Sequence, residues 1–231
     1  LAELRVTAAD GGSFGAYLAV PAKTPAPALL VIQEIFGVNQ GIRDLCDWFA
    51  TQGYVAASPD IFWRLEPGVE LTDKTDAEWQ KAFDLMKKFD VDQGVEDLKA
   101  TLTALRSHES TTDRAGSVGY CLGGRLAFLM ATRSDADANV SYYGVGLEGL
   151  LGELPQVSKP LMLHIASEDQ FVPREAQDQI TAAVADLSAI IAHVYPGADH
   201  AFAREGGAHY DAAAAQTANQ RTLAFFADHL G

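Results

Sequence analysis

The sequence predicts an α/β fold: a mostly parallel twisted sheet with helices on both faces and an antiparallel hairpin at its N-terminus. Three observations carry this expectation. Period-two and period-3.6 apolar patterns alternate along the 231 residues. Several strand-like stretches are nearly continuous apolar runs, as strands covered on both faces are. Strand and helix patterns then follow one another in turn, the order in which crossover helices join parallel strands.

Each element has its own reason. "ELRVTA" and "SFGAYLAV", joined by Asp10-Gly11-Gly12, make the hairpin. "APALLVIQEIFG" is a strand buried on both sides. In "IRDLCDWFATQG", Ile42, Leu45, Trp48 and Phe49 recur at helical spacing, and Gly53 stops the helix. "YVAASPD" is the next strand. Residues 64–76, rich in Pro, Gly, Asp and Thr, read as a surface excursion, and helices follow over 77–89 and 92–107. After them come strand "GSVGY", a helix from Gly123, strands "NVSYYG" and "PLMLHIA", a helix from Arg174, strand "AIIAHVYP" and a closing helix over 211–229. No repeat or linker divides the chain, so residues 1–231 are expected to be a single domain.

Composition narrows the function. The formal charge of −14 argues against nucleic acid and against anionic membrane surfaces as partners. An anionic small substrate stays open where a local arginine offsets that field. Cys46 and Cys121, far apart in sequence, offer no disulfide framework and suit a reducing compartment. "LAELRVTAAD" lacks the apolar segment of a secretory signal, and no apolar run approaches a membrane span. A cytoplasmic setting is expected.

In parallel sheets the ligand sits beyond the carboxyl ends of the strands. Four such ends carry reactive groups: Glu34 after "LLVIQ", Cys121 after "SVGY", Glu168 and Asp169 after "LMLHIAS", and His200 after "VYPGAD". Nucleophile, acid and histidine come in the chain order of the α/β-hydrolases. Gly119-Tyr120-Cys121-Leu122-Gly123 is a cysteine form of the nucleophile elbow, where a sharp strand-to-helix turn exposes the central side chain. The following helix aims its N-terminus at the sulfur, and the Leu122 N–H is an oxyanion donor. A Gly-x-Cys-x-Gly string by itself also fits a buried, inert cysteine; the ordered Asp169 and His200 favour chemistry. Asp169 is preferred to Glu168 because the acid of this fold sits a few residues past its strand. Cys46 lies on an apolar helix face and reads as core. His164 and His193 fall inside strands, where a hydrogen-bonded core histidine is the default. His108 and His229 lie near helix ends, and His209 is in a loop without a reactive partner. Phosphate loop, dinucleotide and metal motifs are absent, so no metal and no cofactor is expected.

The strings "PAPALLVIQEIFGVNQGIRDLCDWFATQGYVAASPDIF", "VGYCLGGRLAF", "SYYGVGLE", "EDQFVP" and "GADHAFAR" resemble the dienelactone hydrolase family, the carboxymethylenebutenolidases, over almost the entire chain. The resemblance implies an α/β-hydrolase fold and a cysteine hydrolase that opens an enol-lactone without cofactor. It implies Cys121 as nucleophile, His200 as base and acid, Asp169 as the partner that orients the histidine, and Glu34 as an extra carboxylate beside the thiol. The oxyanion hole would be the N–H groups of Leu122 and Ile35. With this family, the expected resting state is a neutral thiol held by Glu34 and activated when an anionic substrate binds.

Departures from the family pattern lie around the substrate. Arg204 matches one of two arginines expected to hold a substrate carboxylate. Trp79 stands where the second should be, Phe83 where the family has a tyrosine, Met86 where it has a tryptophan and Ala201 where it has a serine. The substrate wall is therefore expected to comprise Arg204, Phe36, Trp79, Phe83 and Phe171, with less preference for dienelactone and room for a bulkier or less acidic ester or lactone. Three other readings stay open: a general small-molecule esterase or thioesterase, a slow-turnover binding protein on the same fold, and a thiol redox protein. The last is disfavoured because no resolving cysteine lies near Cys121 in sequence.

Overall fold

The computed structural model describes residues 3–231. The chain divides into two compact units, one running to Ser117 and the other starting at Val118.

In the first unit, β1 (Glu3–Thr7) and β2 (Ser13–Ala19) form the expected antiparallel hairpin, with Val6 opposite Phe14. Asp10 closes its turn, its Oδ1 accepting from Gly12 N at 2.9 Å. β2 pairs antiparallel with β4 (Val55–Pro59), and β4 pairs parallel with β3 (Ala26–Ile32). β3 stops at Ile32, so Gln33 and Glu34 lie just beyond it, both buried. α1 (Gln40–Thr51) is capped by Asn39, whose side chain accepts from Ile42 N, and it buries Ile42, Cys46 and Phe49. α2 (Asp76–Lys88) is capped by Thr75, whose hydroxyl accepts from Glu78 N and donates to the Glu78 carboxylate. Asp90 caps α3 (Val91–Arg106).

The 64–76 excursion is tied down more firmly than its composition suggests, with Val69 and Leu71 buried. Asp97, buried on α3, accepts from Trp63 Nε1 at 2.9 Å and from Arg64 at 2.9 and 2.8 Å. Arg64 also reaches Asp10 in the hairpin turn, and Trp63 stacks on Phe14 with ring centroids 5.2 Å apart. One carboxylate thus fastens the excursion to α3, and one guanidinium fastens it to the hairpin.

β5 (Thr111–Tyr120) is twice the length of the "GSVGY" stretch, because its first residues are polar and carry no apolar signal. In the second unit α4 (Leu122–Arg133) is almost wholly buried, as a helix apolar on all sides should be. β6 (Asn139–Tyr142), β7 (Leu161–Ala166) and β8 (Ile190–Tyr195) pair parallel in that order, with Tyr142 opposite His164 and Ala166 opposite Tyr195. A 3₁₀ segment, Leu147–Gln156, not expected from the sequence, connects β6 to β7. α5 (Arg174–Val184) and α6 (Ala212–Leu230) complete the unit. Among the described residues the eight strands are mostly parallel apart from the N-terminal pairings, an α/β fold. Among the described residues no helix is long and apolar enough to cross a membrane.

Candidate active site

The site is built at the ends of β5, β7 and β8. At the end of β5 the chain turns within one residue: Cys121 has φ 55° and ψ −113°, a conformation that side chains other than glycine rarely adopt. Two backbone bonds hold it there, Cys121 N to Tyr142 O at 3.1 Å and Arg125 N to Cys121 O at 3.1 Å. The turn is so tight that a Cβ at position 119 would lie on the carbonyl of Gly123, which is why glycine stands there. Gly124 is needed for a second close approach, since a Cβ would come within 2.6 Å of Tyr142 O. Leu122, Gly123 and Gly124 precede the first intrahelical bond of α4, so their N–H groups form the open end of the helix beside the sulfur.

His200 reaches the sulfur from the loop after β8, and its imidazole and the Cys121 thiol share a hydrogen bond. Its other nitrogen, Nδ1, lies 2.8 Å from Asp169 Oδ2. Asp169 Oδ1 accepts from Phe171 N at 2.8 Å and Val172 N at 3.2 Å, which fixes the carboxylate plane. Glu168 faces elsewhere, toward the Ser167 hydroxyl. Cys121, His200 and Asp169 are 8%, 4% and 5% exposed, so the three groups interact with little screening by water. Burial, the largest single influence on His200, pushes its pKa down. The hydrogen bonds to Asp169 and Cys121 and the electrostatic pull of both side chains outweigh it and raise the imidazole to about 10. Chemically, such an arrangement can activate a sulfur nucleophile and return a proton to a leaving group.

Residues 14–230 match the dienelactone hydrolase family. The chain belongs to the dienelactone hydrolase family. This chain is a carboxylic ester hydrolase. It is 55% identical to an Azospirillum brasilense relative over 100% of both chains. With the carboxymethylenebutenolidase of Pseudomonas putida it shares 41% identity, over 94% of this chain and 92% of the other. A Klebsiella pneumoniae crystal structure matches with a TM-score of 0.86 at 30% identity, covering 99% of this chain and 98% of that one.

The other dienelactone hydrolase positions singled out in the sequence fall into two groups. Within the second unit, Phe171 is 40% exposed and sets its ring edge-on to His200, centroids 4.7 Å apart. Arg204 is half-buried in the turn that follows His200, where its N–H bonds to Ala201 O at 2.9 Å. Within the first unit, Glu34 and Ile35 are buried just after β3. Phe36, Trp79 and Phe83 form one aromatic cluster: Phe36 is edge-on to Trp79 at 5.0 Å, and Trp79 stacks on Phe83 at 5.4 Å. The Trp79 indole N–H is taken by Asp73 O at 3.0 Å, so that side chain turns its ring faces, rather than its polar edge, to its neighbours.

Sequence reasoning does not single out Tyr143. Its φ of 38° is another left-handed residue that is not glycine, and its ring packs on His200 with centroids 5.2 Å apart. The only trace in the sequence is its place between the end of a strand and Gly144. His209, read as a loop histidine without a partner, pairs with Asp199 Oδ2 at 2.9 Å. Cys46 is fully buried, as expected of a core residue, and burial raises its thiol pKa far above the usual range. His164 is likewise buried, with both ring nitrogens bonded.

Proposed function

We propose that this protein opens an enol-lactone, or cleaves a small activated ester, through Cys121, His200 and Asp169. The observation that supports it best is the continuous hydrogen-bonded series from a buried carboxylate through an imidazole to a sulfur held on a strained elbow. In the first step the Cys121 sulfur attacks the ester carbonyl while His200 holds the thiol proton. The resulting oxyanion is received by the N–H of Leu122 and, on the strength of family membership, that of Ile35. Collapse breaks the C–O bond, His200 returns the proton to the leaving enolate or alkoxide, and a thioester remains. Water then attacks the thioester with His200 as base, releasing the acid and restoring the thiol. An enolate leaves readily, so a thiolate suffices, whereas a peptide would demand a protonated amine. Residues 1–231 act as one catalytic domain in this reading, working in the cytoplasm without metal or cofactor.

Substrate preference follows from the wall. Arg204 provides one cation for a substrate carboxylate, and the Phe36–Trp79–Phe83 cluster contributes apolar surface where the family pattern has a second arginine. One guanidinium holds an anion with less geometric constraint than two. On a panel of lactones and esters, Trp79→Arg is expected to raise kcat/KM for dienelactone by about tenfold and to lower it for uncharged bulky esters. Unchanged selectivity in that variant would show that this position does not read the substrate. Steady turnover on any member of the panel separates an enzyme from a binding protein that holds its ligand without releasing product.

Glu34 belongs to the proposal as the carboxylate that keeps the resting thiol protonated until substrate binds. A second reading is a thiolate–imidazolium pair already formed at rest, since an imidazole raised to about 10 is itself charged at neutral pH. Alkylation of Cys121 by iodoacetamide decides between them. With a dormant thiol, labelling is slow in the free protein, accelerates about tenfold with a substrate analogue that leaves the sulfur accessible, and is fast from the start in Glu34→Gln. With a resting pair, labelling of the wild type is fast with or without the analogue.

A further inference from the structure

The second unit contains a chain of six polar side chains that the proposed reaction does not use. Arg221 Nη1 lies 3.2 Å from Tyr195 Oη, which lies 2.8 Å from His164 Nδ1. His164 Nε2 lies 2.9 Å from Thr222 Oγ1, and that hydroxyl lies 2.7 Å from Tyr142 Oη. Tyr142 Oη donates to Asn219 Oδ1 at 2.9 Å. Tyr142, His164, Tyr195 and Thr222 are buried.

The direction of every proton in this chain follows from its two ends. A guanidinium only donates, so Tyr195 accepts from Arg221 and keeps its own proton free for His164 Nδ1. His164 therefore carries its proton on Nε2 and donates to Thr222. Tyr142 has spent its proton on Asn219, so Thr222 must donate to Tyr142. No hydroxyl proton is used twice and no ring nitrogen is left over. Burial keeps His164 neutral and both tyrosines protonated, so the chain holds this polarity.

Its placement gives it a role. Tyr142 and Tyr195 are the last residues of β6 and β8, His164 lies in β7, and the other three side chains come from α6. The same residues hold the catalytic loops through their backbone carbonyls. Tyr142 O accepts from Cys121 N at 3.1 Å. Tyr195 O accepts from Ser167 N at 3.1 Å, two residues before Asp169, and from Ala198 N at 3.3 Å, two residues before His200. His164 O accepts from Tyr143 N at 2.8 Å, and the Tyr143 ring lies against His200. All three members of the triad thus hang from strand residues that one polar chain fastens to α6.

We infer that the Arg221–Tyr195–His164–Thr222–Tyr142–Asn219 chain is the positioning device of the triad, with His164 and Thr222 as positioning residues. A packed apolar core would hold the strands equally close, but dispersion contacts have no fixed direction, whereas five ordered hydrogen bonds set rotation and register. Reacting groups tolerate little error, since a displacement of about 1 Å can lower the rate a hundredfold. The effect on turnover rests on the hydrolytic reading above; the effect on the sulfur and imidazole does not.

Thr222→Val tests this, because it keeps the side-chain shape and removes the hydroxyl that joins the two halves. The expected result is a kcat on an activated ester lowered about tenfold or more with KM changed less than about twofold. The His200 titration midpoint, read by NMR, should move, and the rate of Cys121 alkylation should change at least about threefold. Thr222→Ser should restore all three values. Tyr195→Phe, which cuts the chain on the other side of His164, should shift them in the same sense and decides the matter if Thr222→Val does not fold. Folded variants that lose melting temperature but keep wild-type kcat, His200 midpoint and alkylation rate would overturn the inference. If the wild type turns over no ester at all, the hydrolytic reading fails by itself, and the midpoint and alkylation rate still decide this one: movement supports it, constancy refutes it.

Discussion

Cys121→Ala and His200→Ala are each expected to lower kcat/KM on an activated phenyl ester by about a thousandfold or more, with the double variant little worse than either. In the proposed mechanism neither group acts without the other: without the sulfur there is no acyl intermediate, and without the imidazole no group carries the proton between steps. Asp169→Asn should cost about a hundredfold or more, because a side-chain amide facing Nδ1 can force the proton onto the wrong nitrogen. Additive losses in the double variant would mean that the two residues do not form one catalytic unit. The same exchange has a consequence for pH. His200 binds its proton more tightly folded, to about 10, than an unperturbed imidazole near 6.5. The stability gained is therefore complete below pH about 6.5 and is lost as pH rises through about 10. Cys121→Ala removes the sulfur's share, so the His200 midpoint should fall and the alkaline decline in melting temperature should become shallower. Both are read by NMR titration and thermal melts between neutral pH and pH about 10.5.

Arg64→Ala is expected to destabilise the protein by about 3–5 kcal/mol, the range for leaving one partner of a buried ion pair without the other. Asp97 is 3% exposed and takes two of its hydrogen bonds from that guanidinium. Trp63 Nε1 would remain its partner, but a neutral indole does not balance a carboxylate. The Arg64 bond to Asp10 contributes little by comparison, since that carboxylate is exposed. Arg64→Ala combined with Asp97→Leu should recover most of the loss, because the buried charge goes with its partner. Urea melts of the two variants measure this. A loss below about 1 kcal/mol in Arg64→Ala would show that the pair contributes no more than a surface bridge.

Much of the site was legible in the chain because its chemistry is local. Gly119 and Cys121 announce a turn in which only small neighbours fit, and a side chain at position 119 would indeed collide with the backbone at Gly123. Positions just past apolar strands carry Asp169 and His200, and the periodicities that mark strands also mark their ends. Where pattern and structure part, the cause is physical. β5 begins in polar residues, since backbone pairing needs no apolar side chain, so its length was hidden. Residues 64–76 look like free surface, yet Asp97, more than twenty residues later, anchors them; no window of sequence displays a bond over that distance.

The order of the elements, the elbow and the identity of the groups that could react are written along the chain, because these depend on backbone sterics and on neighbouring residues. Packing in three dimensions brings Asp169 rather than Glu168 to His200, lays Tyr143 on that ring, and makes His164 a link within a directed polar chain. Those outcomes turn on side-chain direction at contacts between residues 31 to 58 positions apart. A hydrogen bond exists only when both partners arrive within about 3 Å at the right angle, and that condition is met in space, after packing has brought the strand ends together.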